Sequence, residues 1–239
     1  MEPQTSTALQ MVDEAQSFFL QGLTKSEIEI VVAGAIQRKY SRGGAVYREG
    51  EAADQFFMLL SGRARYFTLT EDGRRVILRW ILPNQVFGVM ALRHEPGAYR
   101  VSAESVRDSE LLVWHRADIR RFVVRYPRLL ENVVTLASEY FDWYLTAQLA
   151  LISESARQRL ARVLFHLAND IGQHLEDGIV LDITNEELAD AAHITRFSTS
   201  RLLSEWQRRG ILKKRRGRLV LVASERLFAC SPQRGAVTR

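Results

Sequence analysis

From His193 to Arg239 the chain carries 12 Lys or Arg residues against two acids, Glu205 and Glu225, whereas residues 1–152 hold 18 of each sign. The excess positive charge is therefore confined to one end, and there it is patterned. Arg196, Phe197, Ser198, Ser200 and Arg201 follow Thr195 at positions that share the outward side of a helix, while Thr199, Leu202, Leu203 and Trp206 fall on the opposite side. An arginine fork can bond guanine O6 and N7 together, a serine can reach a phosphate or a base edge, and a phenylalanine can meet only an apolar group such as a thymine methyl. After Gly210, the residues Lys213, Lys214, Arg215, Arg216 and Arg218 crowd the tip of a hairpin whose arms are Ile211–Leu212 and Leu219–Val222. Such a tip suits phosphate contact with salt-sensitive affinity. The chemistry on offer is recognition of double-stranded DNA rather than bond making. The plainer alternative is that the cations form a solvated face.

Bond-making chemistry finds no support elsewhere. There is no HExxH, no phosphate-cradling loop ending in Gly-Lys-Ser/Thr and no GxSxG. Glu49 and Asp54 sit among turn residues. The single cysteine, Cys230, excludes an intrachain disulfide and a cysteine-ligated iron–sulfur cluster or zinc finger. No run of about 18 apolar residues is present, and the N-terminus lacks a basic stretch followed by an apolar core. We therefore expect no enzyme, no metal site, no membrane partner, and a cytoplasmic location. With 239 residues, 46% of them hydrophobic and 26% charged, the chain suits one large or two ordinary globular domains.

The basic helix needs elements to hold it. Thr184 or Asn185 caps a preceding helix with Glu186 and Glu187 in its first turn. Leu188 and Ala189 face inward, Ala192-His193-Ile194 make the turn, and Thr195 caps the second helix, which runs to about Arg209. Upstream lie a helix from Ser155 to about Gly172 and a short strand at Ile179–Ile183. A longer helix spans Pro127 to Ser153. In it Leu130, Val133, Ala137, Tyr140, Tyr144, Ala147 and Leu151 recur at heptad spacing, beside a second stripe of Val134, Phe141, Leu145 and Ile152. We assign the first stripe to a homodimer; the alternative is one broad stripe facing the chain's own core. Residues 1–37 read as helical, with a capping box at Ser26 and Glu29. From Tyr40 to about Trp114 short apolar runs alternate with glycine turns, and Asp72-Gly73 marks a two-residue hairpin. The expected division is a helical segment at 1–37, a strand-rich sensor at 38–120, a dimerisation helix at 121–153, a DNA-binding domain at 154–230 and a flexible tail at 231–239.

With these residues in view, the chain resembles the Crp/Fnr superfamily of bacterial transcription regulators from Tyr40 to Val222. The resemblance rests on Tyr47-Arg48-Glu49-Gly50, Phe56 through Ser61-Gly62, Asp72-Gly73-Arg74, Leu82-Pro83 with Phe87-Gly88, Asp108-Ser109-Glu110-Leu111-Leu112 and Thr199-Ser200-Arg201-Leu202-Leu203. It implies an α+β chain: a cyclic-nucleotide-binding-type β-barrel of jelly-roll character, a long dimerisation helix and a C-terminal winged helix-turn-helix. It also implies a homodimer on a palindromic operator and contact with RNA polymerase. The string Ile194 to Arg201 is similar to the nitrogen-oxide-responsive, NnrR-like branch.

Departures from the family pattern carry information too. Cyclic AMP-binding members place a glutamate just after the Phe-Gly pair, where this chain has Val89, and Arg100 is one residue from the position of the phosphate arginine. Cyclic AMP is therefore not expected. An effector pocket, if the barrel holds one, would draw on Phe87, Gly88, Val89, Met90, His94 and Arg100. Haem is a further candidate cofactor, with His94, His115, His166, His174, Met58 and Met90 as the available ligand types. Phe197 stands where the family often has a cytosine-reading glutamate, so the operator should differ from the common half-sites. Two alternatives stay open: a regulator whose barrel binds no ligand, and a sensor module that acts by protein contact.

Overall fold

The structure, a computed structural model, describes residues 17–73, 75–215 and 218–229. Residues 1–16 of the expected helical segment, Arg74, Arg216, Cys230 and the 231–239 tail lie outside the described residues. The chain divides into two compact units that meet between Trp143 and Tyr144.

Among its described residues the first unit has eight strands: β1 (Ile36–Tyr40), β2 (Ala45–Tyr47), β3 (Gln55–Ser61), β4 (Ala64–Leu69), β5 (Arg75–Ile81), β6 (Val86–Phe87), β7 (Ser102–Ser105) and β8 (Ser109–His115). They form two separate antiparallel sheets, ordered β1-β8-β3-β6 and β2-β7-β4-β5. The fold is thus a two-sheet jelly roll rather than a closed barrel. β3 explains why one sheet can carry helices on its back. Its central residues Phe56 to Leu60 are apolar without interruption, and both faces are buried. Phe57 and Leu59 pack with Tyr47, Phe87 and Leu111 between the sheets. Phe56, Met58 and Leu60 pack with Phe19, Val31 and Trp114 under the helices. A strand with two covered faces loses the usual alternation of apolar and polar residues.

The N-terminal expectations need correcting. Helix α1 is Lys25–Ala33, and its capping box is Thr24 with Glu27, not Ser26 with Glu29. The Glu27 carboxylate accepts from both the Thr24 amide and the Thr24 hydroxyl, at 2.8 and 2.9 Å. Starting there lays Ile28, Val31 and Val32 onto the core. Strand β1 begins at Ile36, so residue 37 is not the end of a helical segment. The β4–β5 ladder closes at Leu69↔Arg75, so the turn around Asp72-Gly73 is longer than two residues.

Helix α2 (Arg116–Arg125) leads into α3 (Pro127–Ser153), which has the bounds read from the sequence. Its first stripe, however, is not uniformly free: Val133 is buried, while Leu130, Ala137, Tyr144 and Leu151 are exposed. Leu129 and Val133 belong to the first unit's core, and Asn132 donates to the carbonyls of Phe19 and Gln21, both at 2.9 Å. The Arg79 guanidinium lies 3.7 Å over the Tyr140 ring. Val133 and Tyr140, both assigned to the dimer stripe, are therefore engaged within their own unit. Val134 and Phe141, from the second stripe, stand exposed at 58% and 60%.

The second unit starts with the rest of α3 and continues through α4 (Ala156–Ile171), β9 (Gln173–Leu175), β10 (Gly178–Leu181), α5 (Asn185–Ala191), α6 (Arg196–Arg208), β11 (Leu212–Arg215) and β12 (Arg218–Leu221). Its sheet runs β11-β12-β10-β9, all antiparallel. Strand β9 was not foreseen. All three of its residues are exposed, so it has no apolar rhythm to betray it. Ser155 and Gln158 form a capping box at the start of α4.

Candidate nucleic-acid interface

The interface is built from the turn outward. Thr184 caps α5 with a complete capping box to Glu187. At the other end of α5, His193 takes a left-handed conformation with φ 50°, a region that histidine tolerates better than most non-glycine residues. Three backbone carbonyls converge on one side chain. Arg159, from α4, donates to Ala192 O at 3.1 Å, His193 O at 3.3 Å and Glu154 O at 2.7 Å. Helix ends leave such carbonyls unpaired, and a cation is a favourable partner for them. Sequence reading did not single out Arg159. Its only signal was its place on α4, between the apolar positions.

Thr195 caps α6, accepting from the Ser198 amide at 3.1 Å, and its hydroxyl donates to Ser198 Oγ at 3.0 Å. Thr199, Leu202, Leu203 and Trp206 are buried, and Ala189 and Leu188 of α5 are buried among the same unit's core residues. The inward face is thus the expected one. Glu205 fixes the helix from the side through ion pairs to Arg157 and Arg209. The hydrogen bond from Arg157 holds the Glu205 carboxyl below the ordinary carboxylate value, with the charges of Arg157, Arg209 and Arg201 adding to it.

On the outward face the candidate residues fall into distinct states. Arg201 and Ser200 are exposed, and Arg201 has no hydrogen bond or ion pair among the described residues. Phe197 is 79% exposed, at a place where folding gains nothing from an aromatic ring. Arg196 is exposed but ion-paired with Glu186, from the first turn of α5. Ser198 is half-buried and engaged with Thr195. The wing differs more from expectation. Lys214 donates to Ser204 Oγ at 3.0 Å, tying β11 to α6, and Arg215 pairs with Asp177 at 3.1 Å. Lys213 and Arg218 remain exposed without a described partner. Arg216 lies outside the described residues.

The candidate effector residues separate as well. A cavity of about 120 Å³ in the first unit is lined by Tyr47, Tyr66, Gly88, Val89, Met90, Tyr99, Arg100 and Val101. Gly88, Val89, Met90 and Arg100 are thus together, and Phe87 packs behind them against Phe57 with ring centroids 5.0 Å apart. Gly88 has φ +78°, and a Cβ there would come within 2.9 Å of the Phe57 ring, so only glycine fits. His94 does not line this cavity. Its carbonyl accepts from Arg116 and Arg120 at 2.7 and 2.8 Å, and its Nδ1 lies 3.2 Å from Arg120. The three lining tyrosines were missed, because they come from three different strands and loops. Burial pushes the phenols of Tyr47, Tyr66 and Tyr99 up, so they stay neutral at physiological pH.

A capped two-helix unit that turns an unpaired arginine outward, followed by a basic hairpin, defines a winged helix-turn-helix DNA-binding protein. Here it is joined to a jelly roll with a cavity. Residues 37–126 match the family model of the cyclic nucleotide-binding domain, and residues 158–230 match that of the Crp-like helix-turn-helix domain. The transcriptional regulator LdrP of Thermus thermophilus is 30% identical over 177 residues, 73% of this chain and 86% of LdrP. The cyclic AMP receptor protein of the same species is 29% identical over 193 residues, 80% of this chain and 86% of that protein. The structure of FixK2 from Bradyrhizobium japonicum shares the fold, with TM-score 0.72, 22% identity, and 84% of this chain and 99% of that chain covered. The chain belongs to the Crp/Fnr family and is a DNA-binding transcription regulator, not an enzyme. No helix among the described residues is long and apolar enough to cross a membrane.

Proposed function

We propose that the protein works in the cytoplasm as a homodimer reading a palindromic operator with two copies of α6. The observation that carries this is the state of Arg201: outward, exposed and unpaired beside the small Ser200, as a guanine-reading side chain must be. The exposed stripe of α3 supports the dimer. It runs through Leu130, Val134 and Phe141 in the first unit and Leu145, Leu149 and Ile152 in the second. Ala137, Tyr144 and Leu151 are exposed and flank it, while Ala147 is half-buried. Val134, Phe141, Leu145 and Ile152 keep coiled-coil spacing. Arg201 and Arg196 contact bases, Phe197 meets a thymine methyl, and Thr195, Ser198, Ser200, Lys213 and Arg218 face phosphates or base edges. Lys214 and Arg215 act mainly by holding the wing, and Arg216 extends its charge. DNase footprinting on operators selected from random DNA should protect two half-sites about 34 Å apart. Protection that ignores both sequence and salt would refute the reading and favour a module acting by protein contact.

Contact with RNA polymerase is part of the same proposal, as is regulation by a small effector held in the jelly roll. The nitrogen-oxide branch rests on the string Ile194–Arg201 alone. Its test is whether the selected operators lie before genes of nitrogen-oxide metabolism. Haem is not part of the proposal, because the ring of His94 lies against Arg120 and His94 does not line the cavity. The cyclic nucleotide that the family model implies does not fit. Its ribose needs an acceptor, and no carboxylate lines the cavity.

A further inference from the structure

The turn that leads into α6 is tied to the joint between α3 and α4 by one side chain. Only Glu154 and Ser155 separate the end of α3 from the start of α4. Ser155 caps α4, and the Glu154 amide still donates to Ala150 O of α3 at 3.0 Å. The Glu154 carboxylate is gripped by Arg162 of α4, through Nε at 3.3 Å and through an ion pair at its other oxygen. The Glu154 carbonyl is gripped by Arg159 Nη1 at 2.7 Å. The other two guanidinium nitrogens of Arg159 hold the carbonyls of Ala192 and His193, which lie 33 and 34 residues further along the chain.

All three nitrogens of one planar group are thus spent on backbone, two on the turn and one on the joint. A guanidinium is a rigid fork that holds its partners in one plane, an arrangement that a lysine ammonium does not reproduce. The turn is fixed to α5 on its amide side, where His193 N donates to Asp190 O at 3.2 Å and Ile194 N to Ala189 O at 3.0 Å. Arg159 fixes it on its carbonyl side. Two residues beyond His193, Thr195 caps α6. The direction in which α6 leaves the turn is therefore set against the last turn of α3 and the first turn of α4. The Arg157–Glu205 pair braces α4 against α6 farther along, and Arg159 adds the joint with α3.

We infer that Arg159 is a positioning residue for operator reading: it locks the turn before α6 to the α3–α4 joint and so fixes the half-site spacing that the dimer accepts. The inference rests on the homodimer reading of the proposed function. The test uses the full chain, measured below the thermal midpoint of each variant, on three DNAs: a selected operator, the same operator with one base pair added between its half-sites, and a single half-site. One added base pair moves a half-site by about 3.4 Å and turns it by about a tenth of a helical turn. The wild type should lose at least ~10-fold on the lengthened operator, since avidity fails when both heads cannot engage. Arg159→Met should lose roughly 10-fold on the selected operator but bind the two spacings within ~3-fold of each other, with half-site affinity unchanged. Arg159→Lys, which keeps the charge without the fork, should fall between. Wild-type spacing discrimination in Arg159→Met would overturn the inference; should that variant not fold, wild-type discrimination in Arg159→Lys would do so. An equal loss on all three DNAs would also overturn it, because that is what a merely destabilised head gives. If the wild type itself ignores spacing, the homodimer reading fails and this inference with it. If the wild type discriminates and the variants discriminate equally, only this inference fails.

Discussion

The outward face of α6 and the cavity of the jelly roll are both candidate recognition surfaces, yet they are made in opposite ways. The face of α6 comes from one continuous segment whose side chains project into water at fixed helical intervals. The cavity comes from residues at 47, 66, 88–90 and 99–101, which meet only after two sheets have packed. On α6, charge is abundant and the question is which cations are free. Arg201 is free, Arg196 is held by Glu186, and Lys214 is held by Ser204. In the cavity, charge is scarce, and aromatic and aliphatic side chains make up most of the lining. A basic surface obtains affinity from many weak phosphate contacts and specificity from the few unpaired groups that reach bases. An apolar cavity obtains affinity from shape and selects by the few polar groups it holds.

The sharpest way to break this contrast is to remove the second copy. Val134→Glu with Phe141→Glu should give monomers by sedimentation and lower operator affinity by roughly 100-fold or more, since two linked heads gain that much from avidity. By contrast, Val133→Ala should leave the dimer intact and cost the first unit roughly 1–3 kcal/mol in denaturant unfolding. Were Val133→Ala to dissociate the dimer instead, the placing of Val133 in the core rather than the seam would be wrong. Next in size is Arg159→Met, which leaves the carbonyls of Glu154, Ala192 and His193 without their donor. The second unit should lose about 1–3 kcal/mol, seen as a lower thermal midpoint.

A smaller effect concerns acid. The hydrogen bond from Arg157 holds the Glu205 carboxyl below the ordinary carboxylate value in the folded protein. The stability it contributes is present above pH 4.5 and is lost as pH falls through the folded value, because the unfolded chain takes up the proton first. Glu205→Gln should therefore flatten the loss of stability of the second unit below pH 4.5, by a small amount because water screens the pair. The smallest change is Glu186→Gln, which releases Arg196 and removes a negative charge beside the DNA face. Surface pairs of this kind are worth under about 1 kcal/mol, so non-specific DNA affinity should rise only a few-fold in gel shift. A loss of affinity would mean that Glu186 presents Arg196 to the DNA rather than withholding it.

These differences also explain what could be read in the sequence. The inward face of α6, its Thr195 cap and the turn at His193 follow from local chemistry, and the structure has each of them. The bounds of α3 follow from Pro127 and its apolar spacing. Which stripe faces inward does not, because both are apolar at helical spacing and only the packing of Leu129 and Val133 in the first unit's core separates them. Thr24-x-x-Glu27 and Ser26-x-x-Glu29 overlap as capping patterns, and the cap lies at Thr24. The partners of the wing cations, Ser204 and Asp177, lie 10 and 38 residues from Lys214 and Arg215. No local pattern announces contacts of that range. His94 follows the Phe87-Gly88 pair closely in sequence, but its loop is held by Arg116 and Arg120. The tyrosine walls of the cavity could have been found only with the strand register in hand.

The central claim is that a free arginine on α6 reads bases while the cations of the wing hold phosphates. It is tested most directly by measuring the affinities of Arg201→Ala and Lys213→Ala for operator and for scrambled DNA across a range of salt. Arg201→Ala should cost about 1–3 kcal/mol on the operator alone. Lys213→Ala should weaken both DNAs equally and lower the salt slope by about one. Equal losses on both DNAs from Arg201→Ala would contradict the account.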